Sequence, residues 1–338
     1  MQEEETAMRP ISYARATDVA SAIITVSADP ARAFLAGGTT EIDLLRQGVV
    51  SPSGLVDINA LPLKQIEDLA DGGLRIGALA RMSDVAEAPG VVERFPVIAQ
   101  ALVLGASPQL RHMASMGGNL LQRVRCSYFR DAFSPCNKRE PGSGCSALDG
   151  INRGHAILGT SEQCIATHPS DVAVALVALD AIVHVNGPSG ERVIPIDDFF
   201  LLPDDTPHRE HPLAHGELIV AIEVPALPMA RRSLYLKVRD RESYEFALVS
   251  VAATLHVDNG VISDVRLALG GVATKPWRAR RAEQVLIGAS AERANFVQAA
   301  HEELAVAVPR SLNAFKVALA ERTIVRALET ATMMGGIA

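Results

Sequence analysis

Apolar and polar positions divide the chain into stretches of different rhythm. Near the N-terminal end, Thr17 or Asp18 precedes a periodic apolar segment through Val26, which predicts a short capped helix. Residues 32–36 predict a strand that ends on Gly37-Gly38-Thr39-Thr40 and runs into a helical pattern over 41–47. Residues 55–59 are strand-like, and 65–70 with 74–79 flank Asp71-Gly72-Gly73, a hairpin signal. Ser83-Asp84 predicts the cap of a short helix, and 91–104 one longer helix with Pro96 near its first turns. A second glycine turn follows, Ala114-Ser115-Met116-Gly117-Gly118-Asn119, and then some forty residues with no sustained period of 2 or 3.6. Beyond them Ser170-Asp171 caps a helix to Leu179, and 181–185 pairs with 192–196 across Asn186-Gly187-Pro188-Ser189-Gly190. Residues 203–215 read as a surface loop, 218–224 as a strand and 225–228 as a domain boundary. In the last third, strands at 233–239, 247–257 and 261–269 come first, and amphipathic helices at 278–286, 291–304 and 311–330 come after. Strands followed by helices, not alternating with them, predict an α+β fold.

Composition narrows the function classes. A length of 338 residues is enough for two or three domains with their own cores, and with 48% hydrophobic but 4% aromatic residues those cores are aliphatic. A net charge of -7 argues against nucleic-acid binding, which needs a basic face. The longest apolar run, 172–185, is interrupted by Asp180 and is too short to span a bilayer. Met1 to Ala7 is acidic and no apolar segment follows, so no cleavable export signal is expected, and Arg231-Arg232 reads as a surface pair.

All four cysteines, Cys126, Cys136, Cys145 and Cys164, fall in the aperiodic stretch. That loop is rich in Pro and Gly, so a staple is expected to order it. Disulfides would require an oxidising compartment. Structural zinc favours short Cys-x(2–4)-Cys knuckles, whereas the gaps here are nine, eight and eighteen residues. Plain buried thiols would not explain the clustering. An iron–sulfur cluster is the favoured reading, and Arg123, Arg125, Arg130, Lys138, Arg139 and Arg153 outnumber Asp131, Glu140, Asp149 and Glu162 around it, which suits an anionic centre. Spacing alone does not separate a 4Fe from a 2Fe centre. The two glycine turns offer free backbone N–H groups for an anion, with an ordinary strand-to-helix turn as the alternative; together they would supply enough donors for a pyrophosphate. Neither is a Rossmann fingerprint or a P-loop. His208, His211 and His215 lack the regular spacing of metal ligands and read as parts of a solvated loop.

Four segments in order, Leu35-Ala36-Gly37-Gly38-Thr39-Thr40-Glu41-Ile42, Ser115-Met116-Gly117-Gly118-Asn119, Thr167-His168-Pro169-Ser170-Asp171, and Tyr235-Leu236-Lys237-Val238-Arg239 followed by Phe246 to Ala253, resemble the FAD-binding medium subunit of the xanthine dehydrogenase and aldehyde oxidoreductase family of molybdenum enzymes. The resemblance runs from Met8 onward. The long cysteine insertion makes the chain most similar to the medium subunit of bacterial periplasmic aldehyde oxidoreductase, whose insertion carries a [4Fe–4S] cluster. In relatives the position of Thr40 is often Asn or Asp, and that of Met116 more commonly Ile or Leu.

The resemblance implies a two-subdomain FAD-binding domain of the vanillyl-alcohol-oxidase/PCMH type (8–60 and 61–226, with the insertion at about 121–165), followed by a CO-dehydrogenase-flavoprotein-like α+β domain at 230–334. It implies that both glycine turns wrap the FAD pyrophosphate, that Asp171 accepts from the adenosine ribose, that Ile219 lines the cavity and that Lys237 lies near the flavin. The four cysteines would ligate the [4Fe–4S] cluster. The expected partners are a small [2Fe–2S] subunit, a large molybdenum-cofactor subunit and an external electron acceptor; no protein side chain is expected to act as acid or base. Assembly is expected in the cytoplasm, with export only as a folded passenger of a signal-bearing partner. The alternatives are a stand-alone FAD-dependent oxidase, whose aromatic pocket and covalent flavin attachment are not apparent, and a non-catalytic iron–sulfur scaffold.

Overall fold

The computed structural model describes residues 10–335; Met1 to Ala7, and Met8 with which the first domain was expected to start, lie outside them. Three sheets are drawn from consecutive parts of the chain. The first is parallel, ordered β1-β3-β2, from β1 (Ser12–Arg15), β2 (Arg32–Leu35) and β3 (Gly54–Asp57), with α1 (Val19–Ser27) and α2 (Glu41–Arg46) between them. Asp18 starts α1 with a capping box: its carboxylate accepts from Ser21 N at 2.7 Å and Ser21 Oγ accepts from Asp18 N at 3.2 Å. The apolar stripe Ala22, Ile23 and Val26 then packs on Val56 and Ile58.

The second sheet is antiparallel, ordered β4-β5-β8-β6-β7. Its elements are β4 (Ile66–Asp68), β5 (Leu74–Gly77), α3 (Met82–Glu87), α4 (Pro89–Arg94), α5 (Pro96–Leu104), α6 (Pro108–Met113), α7 (Met116–Leu120), α8 (Ser127–Arg130), α9 (Asp171–Ala178), β6 (Ile182–Gly187), β7 (Gly190–Pro195), α10 (Ile196–Phe199) and β8 (Leu218–Val224). The single helix expected over 91–104 is two helices, because Phe95 at φ -135° and the missing N–H of Pro96 end one and begin the next. Arg81, not Ser83-Asp84, stands at the cap of α3, and Gly117-Gly118 lies inside the short helix α7, capped by Ser115. The short elements β1, α6, α8 and α10 carry too little periodicity to be anticipated.

Helix α9 is apolar on every side, and all of Val172 to Ala178 is buried between α5 and the third sheet. That sheet is antiparallel, ordered β12-β11-β10-β9, from β9 (Leu234–Val238), β10 (Val249–Asp258), β11 (Val261–Gly270) and β12 (Trp277–Arg278). Alternate residues serve different cores: Ala252 and Ala268 face α9, while Val251, Ala253, Leu267 and Leu269 face α11 (Arg280–Leu286), α12 (Arg293–Leu304) and α13 (Phe315–Gly335). Packing on both faces leaves β10 buried without a break from Val249 to Leu255. Strands preceding helices give the α+β architecture that the pattern predicts.

Candidate cofactor cleft and cysteine centre

A cleft of about 650 Å³ opens among the three sheets. Ala36, Gly37, Gly38, Thr39, Thr40 and Glu41 line it from the first glycine turn; Ser115, Gly117, Gly118 and Asn119 line it from the second; Asp171, Ile219 and Lys237 complete it. Leu35, Ile42 and Met116, also expected here, do not line it. Leu35 and Ile42 pack behind Gly38, and Met116 is fully buried in the core.

The two turns are pressed together. A Cβ on Gly37 would fall inside the Met113 carbonyl, and Gly38 has φ +70°, so the first turn is built for glycine at both positions. A clamp that no local pattern announces holds them: Arg81 donates to Met113 O and, at 3.0 Å, to Asn59 Oδ1, while Asn59 Nδ2 donates to Ala36 O at 2.8 Å. The turns differ in what they leave free. In the second, Met116 N and Gly117 N donate to Ala80 O and Ala78 O, Gly118 N to Ser115 Oγ and Asn119 N to Ser115 O. In the first, the N–H groups of Gly37, Gly38, Thr39 and Thr40 have no partner among the described residues. An anion in the cleft therefore finds its backbone donors on the first turn; the second offers small side chains that allow close approach.

Ser170 alone caps α9, its Oγ accepting from Ala173 N at 3.1 Å and donating to Asn119 Oδ1 at 2.5 Å. Asp171 is thereby released from capping. Its Oδ2 meets Lys237 Nζ at 2.8 Å and its Oδ1 accepts from Tyr235 OH at 2.7 Å, and Lys237 also donates to Leu104 O at 3.0 Å. Burial pushes the Asp171 carboxyl above the usual range, opposed by Lys237 and Tyr235. The ion pair makes one station of two residues that were expected at different parts of the cofactor. Arg125 and Phe246 also line the cleft, with the Arg125 guanidinium 5.4 Å from the Phe246 ring centre.

The four cysteines are free thiols that line one small hollow, together with Phe129, Lys138 and Ala166. Cys136 and Cys145 face each other across an antiparallel bridge, His155 Nε2 lies 3.2 Å from Cys126 Sγ, and Ala166 N donates to Cys164 Sγ at 3.5 Å. Burial pushes the Cys126 thiol up to about 12 and that of Cys164 up to about 11. Among the described residues no three His, Cys, Asp or Glu side chains are drawn together as ligands of a single metal ion.

The loop is also held by hydrogen bonds of its own and from elsewhere in the fold. Arg139 donates to the carbonyls of Tyr128, Phe129, Ala132 and Ser134; Asn137 Oδ1 accepts from Gly142 N and Gly144 N; Tyr128 OH accepts from Ile151 N. From α13 Lys316 donates to Gly154 O, His155 O and Gly271 O, and from the turn before it Asn313 donates to His155 O and Ala156 O. The 203–215 segment is not wholly a solvated loop either. Glu210 pairs with Arg123 and, at 3.1 Å, with Lys138, and His211 stacks on Phe199.

Comparison with known proteins agrees with this geometry. Residues 7–227 match the family described as the FAD binding domain in molybdopterin dehydrogenase, and residues 234–331 match the CO dehydrogenase flavoprotein C-terminal domain. The chain is 47% identical to the aldehyde oxidoreductase FAD-binding subunit PaoB of Escherichia coli K12, over 96% of this chain and 99% of that one. It is 29% identical to the glyceraldehyde dehydrogenase medium chain of Sulfolobus acidocaldarius, over 82% of this chain and 81% of that one. Quinoline 2-oxidoreductase from Pseudomonas putida 86 shares the fold with a TM-score of 0.75 at 22% identity, covering 97% of this chain and 99% of its own. With the cleft, its glycine turns and both domain matches in place, the chain belongs to the FAD-binding medium subunits of the molybdenum hydroxylases, a family of oxidoreductase subunits.

Proposed function

We propose that this chain is the electron-exit subunit of a molybdenum-dependent aldehyde oxidoreductase of the xanthine dehydrogenase type. In this reading it works beside a small [2Fe–2S] subunit and a large molybdenum-cofactor subunit and delivers electrons to an external acceptor. The carrying observation is the cleft with its free first-turn donors, in a chain 47% identical to an aldehyde oxidoreductase FAD-binding subunit. FAD supplies the two-electron to one-electron redox chemistry when bound. The protein supplies position: unpaired N–H groups at Gly37 to Thr40, the Asp171–Lys237 pair at the buried end of α9, and Ile219 on the wall. The proposed domain division is 8–60, 61–226 and 230–334, supported by three sheets each drawn from a consecutive stretch. Among the described residues no helix is long and apolar enough to cross a membrane. Cytoplasmic assembly, with export on a signal-bearing partner, is part of the proposal.

The proposal includes a [4Fe–4S] cluster on Cys126, Cys136, Cys145 and Cys164. Four free thiols around one hollow, with apolar walls, Lys138 nearby and an N–H donor on Cys164 Sγ, fit a ligand set of four thiolates. In a four-iron body each iron takes one thiolate, which the four cysteines would supply. Anaerobic preparations of the complex should contain about four irons and four sulfides per chain from this centre, in addition to those of the small subunit. Changing any one of the four to Ser should remove most of them, and acid should release FAD into solution. Zinc in place of iron, or full iron retention in all four single variants, sinks the cluster; flavin that stays on the acid-precipitated chain sinks the subunit reading in favour of a stand-alone oxidase.

A further inference from the structure

The segment Gln122-Arg123-Val124-Arg125-Cys126 runs directly from the second glycine turn to the first thiol. The cations around it have firm partners: Arg123 and Lys138 share Glu210, Arg130 holds Asp43, Arg153 holds Asp240, and Arg139 is cradled by carbonyls. Arg125 differs from all of them. No carboxylate among the described residues lies within ion-pair distance of it. Its guanidinium donates to Arg123 O and reaches Thr40 Oγ1 and Gln122 Oε1 only at 3.4 Å each, well beyond the roughly 2.7–2.9 Å of a charge-assisted bond.

Three further facts fix what it faces. The side chain lines the cleft, Phe246 lies against it, and it reaches Thr40, one of the first-turn residues Gly37 to Thr40 whose N–H groups are unpaired among the described residues. A cation whose partners are one carbonyl and two long neutral contacts, beside the unpaired donors of the first turn and with an aromatic ring against it, is short of an anion. Threonine at position 40 leaves that charge unneutralised, where an aspartate would take it.

We propose that Arg125 binds the pyrophosphate of the dinucleotide, so that the cysteine loop contributes a phosphate-binding residue to the flavin cleft. The family's FAD binding is enough to support this; it does not depend on the iron–sulfur reading. It also gives the two regions a direct link, because the residue that would hold the phosphates is bonded to Cys126.

The test uses the full-length chain stripped of flavin. Affinity is measured for FAD and for ADP, which keeps the pyrophosphate and lacks the flavin. Arg125→Gln should weaken both by on the order of ten- to a hundredfold, and Arg125→Lys should recover part of the loss. Iron content should not change. If FAD weakens while ADP does not, the guanidinium acts at the flavin end and the proposal fails; if neither weakens, it also fails. A second measurement needs no variant: an arginine-specific dicarbonyl should modify Arg125 in the wild-type chain, and ADP should protect it. Equal modification with and without ADP, read by peptide mass mapping, overturns the assignment even if the variants do not fold.

Discussion

At the cofactor cleft the backbone does the shaping. Gly37 has no room for a side chain against Met113, Gly38 takes a left-handed φ of +70°, and the donors on offer are main-chain N–H groups. In the cysteine loop the side chains do it. Arg139, Asn137 and Asn152 hold the main chain from within, and Asn313 and Lys316 reach in from the last helical region of the chain. The glycine turns of the cleft are therefore set by contacts within the fold's first two sheets, whereas the loop borrows part of its order from residues some 160 positions away. A loop built that way is predicted to fail as a unit when its distant supports go, and the cleft should survive it.

The largest expected effect comes from Lys316, which is 0% exposed and donates to three carbonyls, two of them in the loop. Lys316→Met keeps the stem's packing and strands those carbonyls. The expected cost is about 1–3 kcal/mol for each buried carbonyl left without a donor. Limited proteolysis should cut within about residues 127–160, beyond Arg125, at a temperature where FAD remains bound. Loss of FAD before any cleavage in the loop would erase the distinction between the two regions.

The same contrast explains what could be read from the sequence. Asp18, the hairpin at Asp71-Gly72-Gly73, the Ser170 cap and the first glycine turn are local patterns, and each sits where its spacing predicts. The clustering of the cysteines was legible as composition. The clamp of Arg81 and Asn59 was not, because the two residues are 22 positions apart and neither breaks its own local pattern. Lys316 was equally hidden, since a lysine on an amphipathic helix reads as solvated. The pairing of Asp171 with Lys237 depends on α9 lying across the third sheet, a fact of tertiary packing that no spacing encodes.

The reciprocal experiment breaks the cleft and spares the loop. In Gly37→Ala the new Cβ meets a backbone carbonyl, which cannot swing aside as a side-chain tip would. The cost should sit near the top of the roughly 1–3 kcal/mol typical of overpacking. FAD affinity should fall as the two turns separate, while iron content and the protease resistance of 123–160 stay as in the wild type. A variant that loses iron together with flavin would show the two regions to be one cooperative unit.

His168 sharpens the comparison at the seam, because it faces Lys138 and Glu210 on the loop side and Arg125 on the cleft side. Its ring packs edge-on against Phe200 at 4.7 Å, and its Nδ1 accepts from Ser170 N at 3.4 Å, a bond that protonation would remove. Burial, with Lys138 and Arg125 adding to it and Glu210 opposing, lowers its pKa from 6.5 to about 4. The unfolded chain therefore takes up a proton as pH falls through 6.5, and the folded chain does not until about 4. The unfolded state binds more protons across that window, so stability is fully present above pH 6.5 and is lost on acidification. At pH 5 the loss from this one group is at most about 2 kcal/mol. His168→Gln keeps an acceptor for Ser170 N and cannot titrate. Its thermal midpoint should fall less between pH 7 and pH 5 than that of the wild type, by several degrees. Part of the acid sensitivity should persist in the variant, because buried His155 is lowered in the same direction, also to about 4. Identical pH profiles for the two proteins would place the acid sensitivity elsewhere and remove His168 from the seam.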